Sequence, residues 1–300
     1  MRPDPSQRKP SWIKVRPPSG EAYLSIKKEL RERSLYTVCE EARCPNVGEC
    51  WGSGTATILC LGDTCTRKCG FCSVKTGNPQ GWLDPLEPQK VSETIHLMNL
   101  KYVVLTTVDR DDLKDFGASQ LANIIRTVRG SCPHPPLIEI LTGDFRGNFD
   151  NLKILCDAKP NVFSHNIETV ERLTSMVRDR RASFKQSLEI LIKARHHGLL
   201  TKSSIMVGLG ETLEEILKAL QILKNSGVSV VTLGQYLQPT PKHLPVKRYV
   251  TPQEFEIYKN EGLKMGFDYV ASGPLIRSSY KAGEHFLHQK LKENSDEYRI

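Results

Sequence analysis

From about residue 55 onward, short runs of β-branched and aliphatic residues alternate with amphipathic stretches, the pattern of a parallel sheet wrapped by helices. Six runs read as strands: ATILCLG (56–62), YVVLTTV (102–108), LIEIL (137–141), VFSHNIE (162–168), KSSIMVG (202–208) and VSVVTLG (228–234). Helical stretches fall between them at 91–100, 118–129, 149–158, a paired region over 169–197, and 212–226. A further helix over 251–264 opens with TPQE, where Thr251 can N-cap, Pro252 takes the first helical position and Glu254 completes a capping box. Six β/α units predict an α/β fold, a partial (β/α)6 barrel two units short of the complete eight-fold barrel.

In such barrels the chemistry collects at the C-terminal ends of the strands. The first strand is followed by Asp63 and a cysteine loop, the second by Asp109, Arg110 and Asp111, and the third by Thr142, Gly143 and Asp144. The fourth ends in His165, Asn166 and Glu168, the fifth in Gly208, Gly210 and Glu211, and the sixth in Gln235 and Tyr236. All six ends are polar or glycine-rich, which predicts one cavity at that face.

Composition narrows this less than pattern does. The 300 residues, 39% of them hydrophobic, are enough for a large core and exclude a wholly disordered chain. No run of about 18 apolar residues exists, and the start lacks the apolar segment of a secretory signal. That start is rich in proline and basic residues, as a transit peptide can be, but Asp4 and the prolines argue against an amphipathic helix, so it reads as an extended arm. The expectation is a soluble, cytoplasmic protein. A net charge of +8 and a pI near 9.0 suit an anionic partner or a plain basic face, and do not choose between them.

The nine cysteines change the picture more, because disulfides rarely persist in the cytosol and seven of the nine lie before residue 73. Cys65, Cys69 and Cys72, in CTRKCGFC, are spaced CxxxCxxC, close enough to wrap one metal cluster and one ligand short of four. Cys60 is the nearest fourth thiol, but it sits in an apolar strand run and reads as a small buried hydrophobe. Cys39, Cys44 and Cys50 form a second incomplete triad, CxxxxCxxxxxC, that matches none of the paired CxxC zinc patterns. The different-class alternative is a basic, metal-bearing nucleic-acid-binding protein; the absence of CxxC pairs and of interleaved aromatic and basic residues counts against it.

CTRKCGFC, with Phe71 before its last cysteine, resembles the signature of the radical S-adenosylmethionine (SAM) enzymes. The upstream triad, followed by VDRDDL, EILTGDF, HNIETVERL, KSSIMVGLGE, GQYLQPT, LPVKRYVTPQEF and ASGPLIRSSYKAGE, extends the resemblance to the lipoyl synthase family over nearly the whole chain. Two departures touch loop geometry only, KDFGA (114–118) where a Gly-Gly pair is expected and Ser204 where glycine is usual.

The resemblance implies two 4Fe-4S clusters and SAM. Cys65, Cys69 and Cys72 would hold the cluster whose open iron binds SAM and whose electron cleaves it to a deoxyadenosyl radical. Cys39, Cys44 and Cys50 would hold an auxiliary sulfur-donating cluster, completed by a serine of RSSY, placed at Ser279 with Ser278 as the alternative. Phe71, Asp109, Asn166, Glu168, Arg178 and Gly208 would line the SAM site. Asn166 and Glu168 suit a ribose diol, or else cap the next helix. Arg178 pairs with the SAM carboxylate or with Glu168, or is solvated, and VGLGE lines the site or is a plain turn.

The implied reaction inserts two sulfurs at C6 and C8 of a protein-bound octanoyl-lysine; another radical SAM sulfur-inserting enzyme is the nearer alternative. The implied partners are octanoylated lipoyl carrier domains (2-oxoacid dehydrogenase E2 subunits and the glycine cleavage H protein), a flavodoxin or ferredoxin reductant and an iron-sulfur carrier, with neither nucleic acid nor membrane. The implied division is an N-terminal extension (1–54), the barrel (55–265) and a C-terminal extension (266–300), the extensions capping the barrel mouth.

Overall fold

A computed structural model of the chain describes residues 9–14, 21–33, 35–41, 44, 46–47, 50, 57–98, 100, 102–131 and 134–279. The strands are β1 (Tyr36–Thr37), β2 (Thr57–Cys60), β3 (Thr64–Cys65), β4 (Lys75–Thr76), β5 (Tyr102–Thr107), β6 (Leu137–Leu141), β7 (Val162–Ser164), β8 (Leu200–Val207), β9 (Val230–Gln235) and β10 (Tyr269–Gly273). One sheet runs β1-β2-β5-β6-β7-β8-β9-β10, parallel throughout except for β1, which pairs antiparallel to β2. The six predicted strands are β2 and β5 to β9, in that order. β10, inside the predicted C-terminal extension, adds a further parallel strand with Tyr269 opposite Val230.

The covering helices begin where the sequence provides caps. Thr251 caps the helix Pro252–Lys264 and Glu254 completes the box, and Thr212 with Glu215 does the same for Leu213–Asn225. Asn148 and Ser183 cap Phe149–Asp157 and Phe184–His196 through side-chain oxygens. The predicted 91–100 helix starts earlier, at Glu87, since Pro88 costs nothing in a first turn whose N–H groups lack helical partners. The paired region resolves into Glu171–Leu173, Thr174–Val177 and Phe184–His196.

Each strand sends alternate residues to opposite faces. Val103, Leu105, Ile138, Ile140, Phe163, Ile205, Val231 and Leu233 enter the large core under the helices. Tyr102, Val104, Val162, Leu200 and Val230 form a small cluster on the other face, inside the barrel. Beside it lies a buried polar layer: Lys202 Nζ is 2.9 Å from Glu139 Oε2, which also accepts from Tyr102 OH at 2.6 Å, while Ser164 donates to Oε1 at 2.7 Å. Toward the strand C-termini the interior opens into a cavity.

The fourth strand is shorter than its apolar run. β7 stops at Ser164, and the chain then bends through Glu168, whose φ of 67° breaks the ladder apart from one bridge to Ile205. That bend turns His165, Asn166 and Glu168 toward the cavity.

Candidate active site

The cysteine loop follows β2 through a turn at Leu61 and Gly62, both at positive φ. Its start and end are joined by the small parallel pair β3 and β4, with Cys65 opposite Thr76. Thr66 then hooks the loop to the end of β5, donating its N–H to Asp109 O at 2.9 Å, with Oγ1 2.9 Å from that oxygen and 2.8 Å from Asp111 Oδ2, the one hydroxyl hydrogen serving either. Arg67 is only 4% exposed. Its Nε and Nη2 each reach an Asp111 oxygen at 3.0 Å, and Nη1 lies 2.8 Å from Asp144 and 3.5 Å from Asp109.

Backbone N–H groups point at sulfur, among them Arg67 N–H at Cys65 Sγ (3.4 Å) and Asp179 N–H at Cys69 Sγ (3.3 Å). Such donors suit thiolate ligands. Burial pushes the Cys65 and Cys69 thiols up to about 11 and about 12 and raises Cys72 as well, so binding a cluster here must release protons. Among the described residues no three Cys, His, Asp or Glu side chains converge on the volume of a single ion. Cys60 lies fully buried in β2, within the core.

The strand ends complete the wall. Asp109 sits against Gly143, where a Cβ would fall 2.0 Å from its Oδ1, so a side chain there would displace that carboxylate. Burial raises its carboxyl to about 6, against the pull of Arg67. His165 is 2% exposed, with Nδ1 2.8 Å from Thr142 O and Nε2 2.8 Å from Ser187 Oγ. Since a carbonyl only accepts, Nδ1 carries the proton, Ser187 donates to Nε2, and Ser187 accepts in turn from Arg178 Nη1 at 2.7 Å. Burial holds this imidazole neutral, lowering its pKa to about 4. Asn166 Nδ2 donates to Glu168 Oε1 at 3.1 Å, and burial raises the Glu168 carboxyl while Arg178 opposes the rise.

The second triad reaches the same space. Cys39, Cys44 and Cys50 line a cavity of about 570 Å³ together with Cys65, Cys69, Phe71, Cys72, Asp109, Asn166, Glu168, Arg178, Ser278 and Ser279. Asn46 Nδ2 donates to Leu275 O at 2.6 Å, tying the early segment to the one that carries the serines. Gly234 allows the approach, because a Cβ there would meet Ile276 O at 2.0 Å. Of the residues given a ligand or cofactor role, Gly208 stands off this wall, and among the polar strand ends so do Asp63, Arg110, Asp111, Asp144, Gly210 and Glu211, so the end of the fifth strand does not face the cavity. The Gly208 N–H donates to Glu211 and its carbonyl accepts from Lys247, at φ 96° beside Gln235 and Arg248 O, so it serves backbone packing. Arg178 is buried at 9% exposure, which excludes the solvated reading.

Several residues that hold the site were given no part in it from the sequence. Arg67 is one, and it forms the ion pair above with Asp144, which the sequence had placed only at a strand end. Asp179 accepts from Lys68 N at 2.8 Å and from Arg181 Nε at 2.8 Å, and its carboxyl lies well below the usual range because of that Arg181 bond. His243 braces the loop through Nε2, 3.0 Å from Cys72 O. The signal for Arg67 was its place inside the cysteine spacing.

The model for the radical SAM superfamily matches residues 59–234, and the fold agrees. Streptococcus suis SuiB bound to S-adenosylmethionine superposes with a TM-score of 0.55 at 12% identity, covering 83% of this chain and 60% of that one. HydG, a maturase of the FeFe-hydrogenase, gives 0.52 at 12% identity over 91% of this chain and 69% of that one. The chain is thus a radical SAM enzyme with the partial barrel of that class.

A second model, for the N-terminal domain of lipoyl synthase, matches residues 2–44. The mitochondrial lipoyl synthase of Scheffersomyces stipitis is 52% identical over 97% of this chain and 75% of its own length. That of Schizosaccharomyces pombe is 52% identical over 96% and 80%. That of Candida albicans is 50% identical over 97% and 77%. The chain belongs to the lipoyl synthase family. With the family come its cofactors, SAM and 4Fe-4S clusters including the auxiliary one, sulfur insertion as the reaction, and lipoyl carrier proteins as the substrate class. These relatives overturn the cytoplasmic expectation, since they are named mitochondrial. That expectation rested on the missing secretory signal and on reading the basic, proline-rich start as an arm, and neither observation excludes an organelle.

Proposed function

We propose that the chain works in mitochondria and inserts two sulfur atoms, at C6 and C8, into an octanoyl chain held in amide linkage by a lysine of a lipoyl carrier protein. Family membership supports the reaction, and the names of the relatives support the compartment. The observation that carries the reading is geometric: two cysteine triads, the Ser278–Ser279 pair and the strand-end residues Asp109, His165, Asn166, Glu168 and Gln235 line one cavity.

In this reading Cys65, Cys69 and Cys72 hold the cluster to which SAM binds, and Cys39, Cys44 and Cys50 with Ser279 hold the auxiliary cluster. An oxygen donor is more easily displaced from iron than a thiolate, which suits a cluster that gives up sulfur. When bound, the clusters and SAM supply the one-electron chemistry that activates an inert C–H bond, and the sulfur that replaces the hydrogen.

The chain's own residues position and shield. Asn166 and Glu168, already bonded to each other, present an amide and a carboxylate to a ribose diol. Arg178, fixed by Ser187 and the neutral His165, brings a buried positive charge to the cavity wall for a carboxylate. Phe71 and Met206 give apolar surface. The enclosing walls would keep C6 and C8 of the octanoyl chain close to their reaction partners and exclude water. The early segment (1–54) and the C-terminal segment (266–300) act as extensions of the barrel (55–265). The carriers are E2 subunits of 2-oxoacid dehydrogenases and the glycine cleavage H protein, the reductant is of flavodoxin or ferredoxin type, and an iron-sulfur carrier restores the auxiliary cluster.

The test is anaerobic incubation of the reconstituted chain, SAM and a reductant with an octanoyl-lysine peptide, read by mass spectrometry. Replacement of two hydrogens by two sulfurs is expected, from a chain holding about eight irons. SAM cleavage that leaves the peptide mass unchanged would overturn the reading.

A further inference from the structure

The ionic structure behind the cysteine loop does more than neutralise charge. Arg67 lies between Cys65 and Cys69 in sequence, yet its guanidinium is bonded to the ends of two barrel strands, forking onto Asp111 after β5 and reaching Asp144 after β6. A planar guanidinium held by such a fork has one position and one orientation. The residues on either side of it are tied as well: Thr66 to Asp109 O and Asp111, Lys68 N–H to Asp179. Arg181 closes the far side, reaching Asp179 at 2.8 Å, Thr66 O at 2.6 Å and Asp111 at 3.4 Å. Arg67 and Arg181 face Asp109, Asp111, Asp144 and Asp179, and Arg178 also acts on Asp109, so that three cations stand against four carboxylates.

We propose that Arg67 is a positioning residue which fixes the separation of Cys65 and Cys69 from the barrel side, independently of any cluster, and whose charge offsets the carboxylates behind the loop. The proposal rests on the reading of Cys65, Cys69 and Cys72 as cluster ligands. It divides into a geometric part, which needs the guanidinium fork, and an electrostatic part, which needs only a cation. Lysine keeps the charge but, as a compact ammonium, cannot reproduce the planar fork onto Asp111 while also reaching Asp144. Methionine removes both.

The experiment compares the full-length wild-type chain with Arg67→Lys and Arg67→Met, each reconstituted anaerobically and each after iron removal. In the iron-depleted proteins, alkylation rates at Cys65, Cys69 and Cys72 are read by peptide mass spectrometry, with Cys39, Cys44 and Cys50 as internal controls. Both variants are expected to react about tenfold faster at the loop cysteines, with the control cysteines unchanged.

In the reconstituted proteins the midpoint potential of the SAM-binding cluster is measured. Arg67→Met leaves carboxylates uncompensated and makes reduction harder, by about tenfold in the reduced-to-oxidised ratio at fixed poise, or 59 mV for one electron. Arg67→Lys is expected to stay near wild type in potential. If Arg67→Met does not fold, Asp144→Asn, which removes one anchor and leaves the cation, is expected to speed loop alkylation without lowering the potential. Loop alkylation and potential both unchanged in a folded Arg67→Met or Asp144→Asn protein that still loads iron would overturn the proposal. A wild-type chain that loads no cluster would instead overturn the ligand reading on which it rests.

Discussion

Cys65, Cys69 and Cys72 sit on a loop anchored to the barrel by bonds to the ends of β5 and β6 and to Asp179. Cys39, Cys44 and Cys50 face the same cavity from outside the parallel sheet, joined to it through the two-residue pairing of β1 with β2 and through Asn46, which reaches across to Leu275. The first group depends on the barrel being folded. The second depends on two distant parts of the chain meeting. The contrast separates, in one small cavity, a site that comes with the scaffold from a site assembled onto it.

The sharpest way to break this comparison is to remove one cysteine from each group. Cys69→Ala should abolish SAM cleavage, whereas Cys44→Ala should keep SAM cleavage and lose sulfur insertion; deoxyadenosine and peptide mass, read from the same reaction, distinguish the two. Equal loss of both products in both variants would erase the division of labour.

Next in size is a lesion in the barrel. Lys202→Met leaves Glu139 buried without its cation, which costs about 3–5 kcal/mol. The urea midpoint should fall, and SAM cleavage should become heat-labile together with the fold.

A smaller effect comes from pH. His165 is held neutral down to about 4, whereas an unfolded chain protonates it near 6.5. Between those values the unfolded state binds more protons, so stability falls as pH is lowered through that window. Iron-depleted wild type should therefore lose more stability from pH 7 to pH 5 than His165→Asn does.

The smallest effect falls on the assembled side. Asn46→Ala removes one hydrogen bond, about 1 kcal/mol. It should slow sulfur insertion while leaving SAM cleavage and the barrel's unfolding midpoint near wild type.

The barrel was legible because its strands are runs of apolar residues and its helices carry local caps; Thr251, Pro252 and Glu254 act as their spacing requires. β1 was too short to register, and β10 lay in a segment read as an extension. The bend at Glu168 was hidden because a positive φ at a glutamate has no local signature. The cavity followed from the rule that chemistry gathers at strand ends, and the cysteine spacing pointed to the loop. What stayed invisible was the loop's support. Arg67 meets partners from Asp109 to Asp144, far along the chain, and Arg181 reaches Thr66 across 115 residues, so no spacing rule could pair them. Gly208 looked like a site glycine because a turn and a binding loop share the same residue type.

The bond from Asn46 to Leu275 spans 229 residues. Barrel strands pair mostly with their neighbours in sequence, so each unit can form as its segment becomes available. This contact must wait for nearly the whole chain, and contacts of such separation form slowly because loop closure costs entropy before it returns anything. The barrel and its cysteine loop can therefore be complete while the wall carrying Ser279 is still open. The cysteines nearest the start of the chain belong to the part of the site that is finished last.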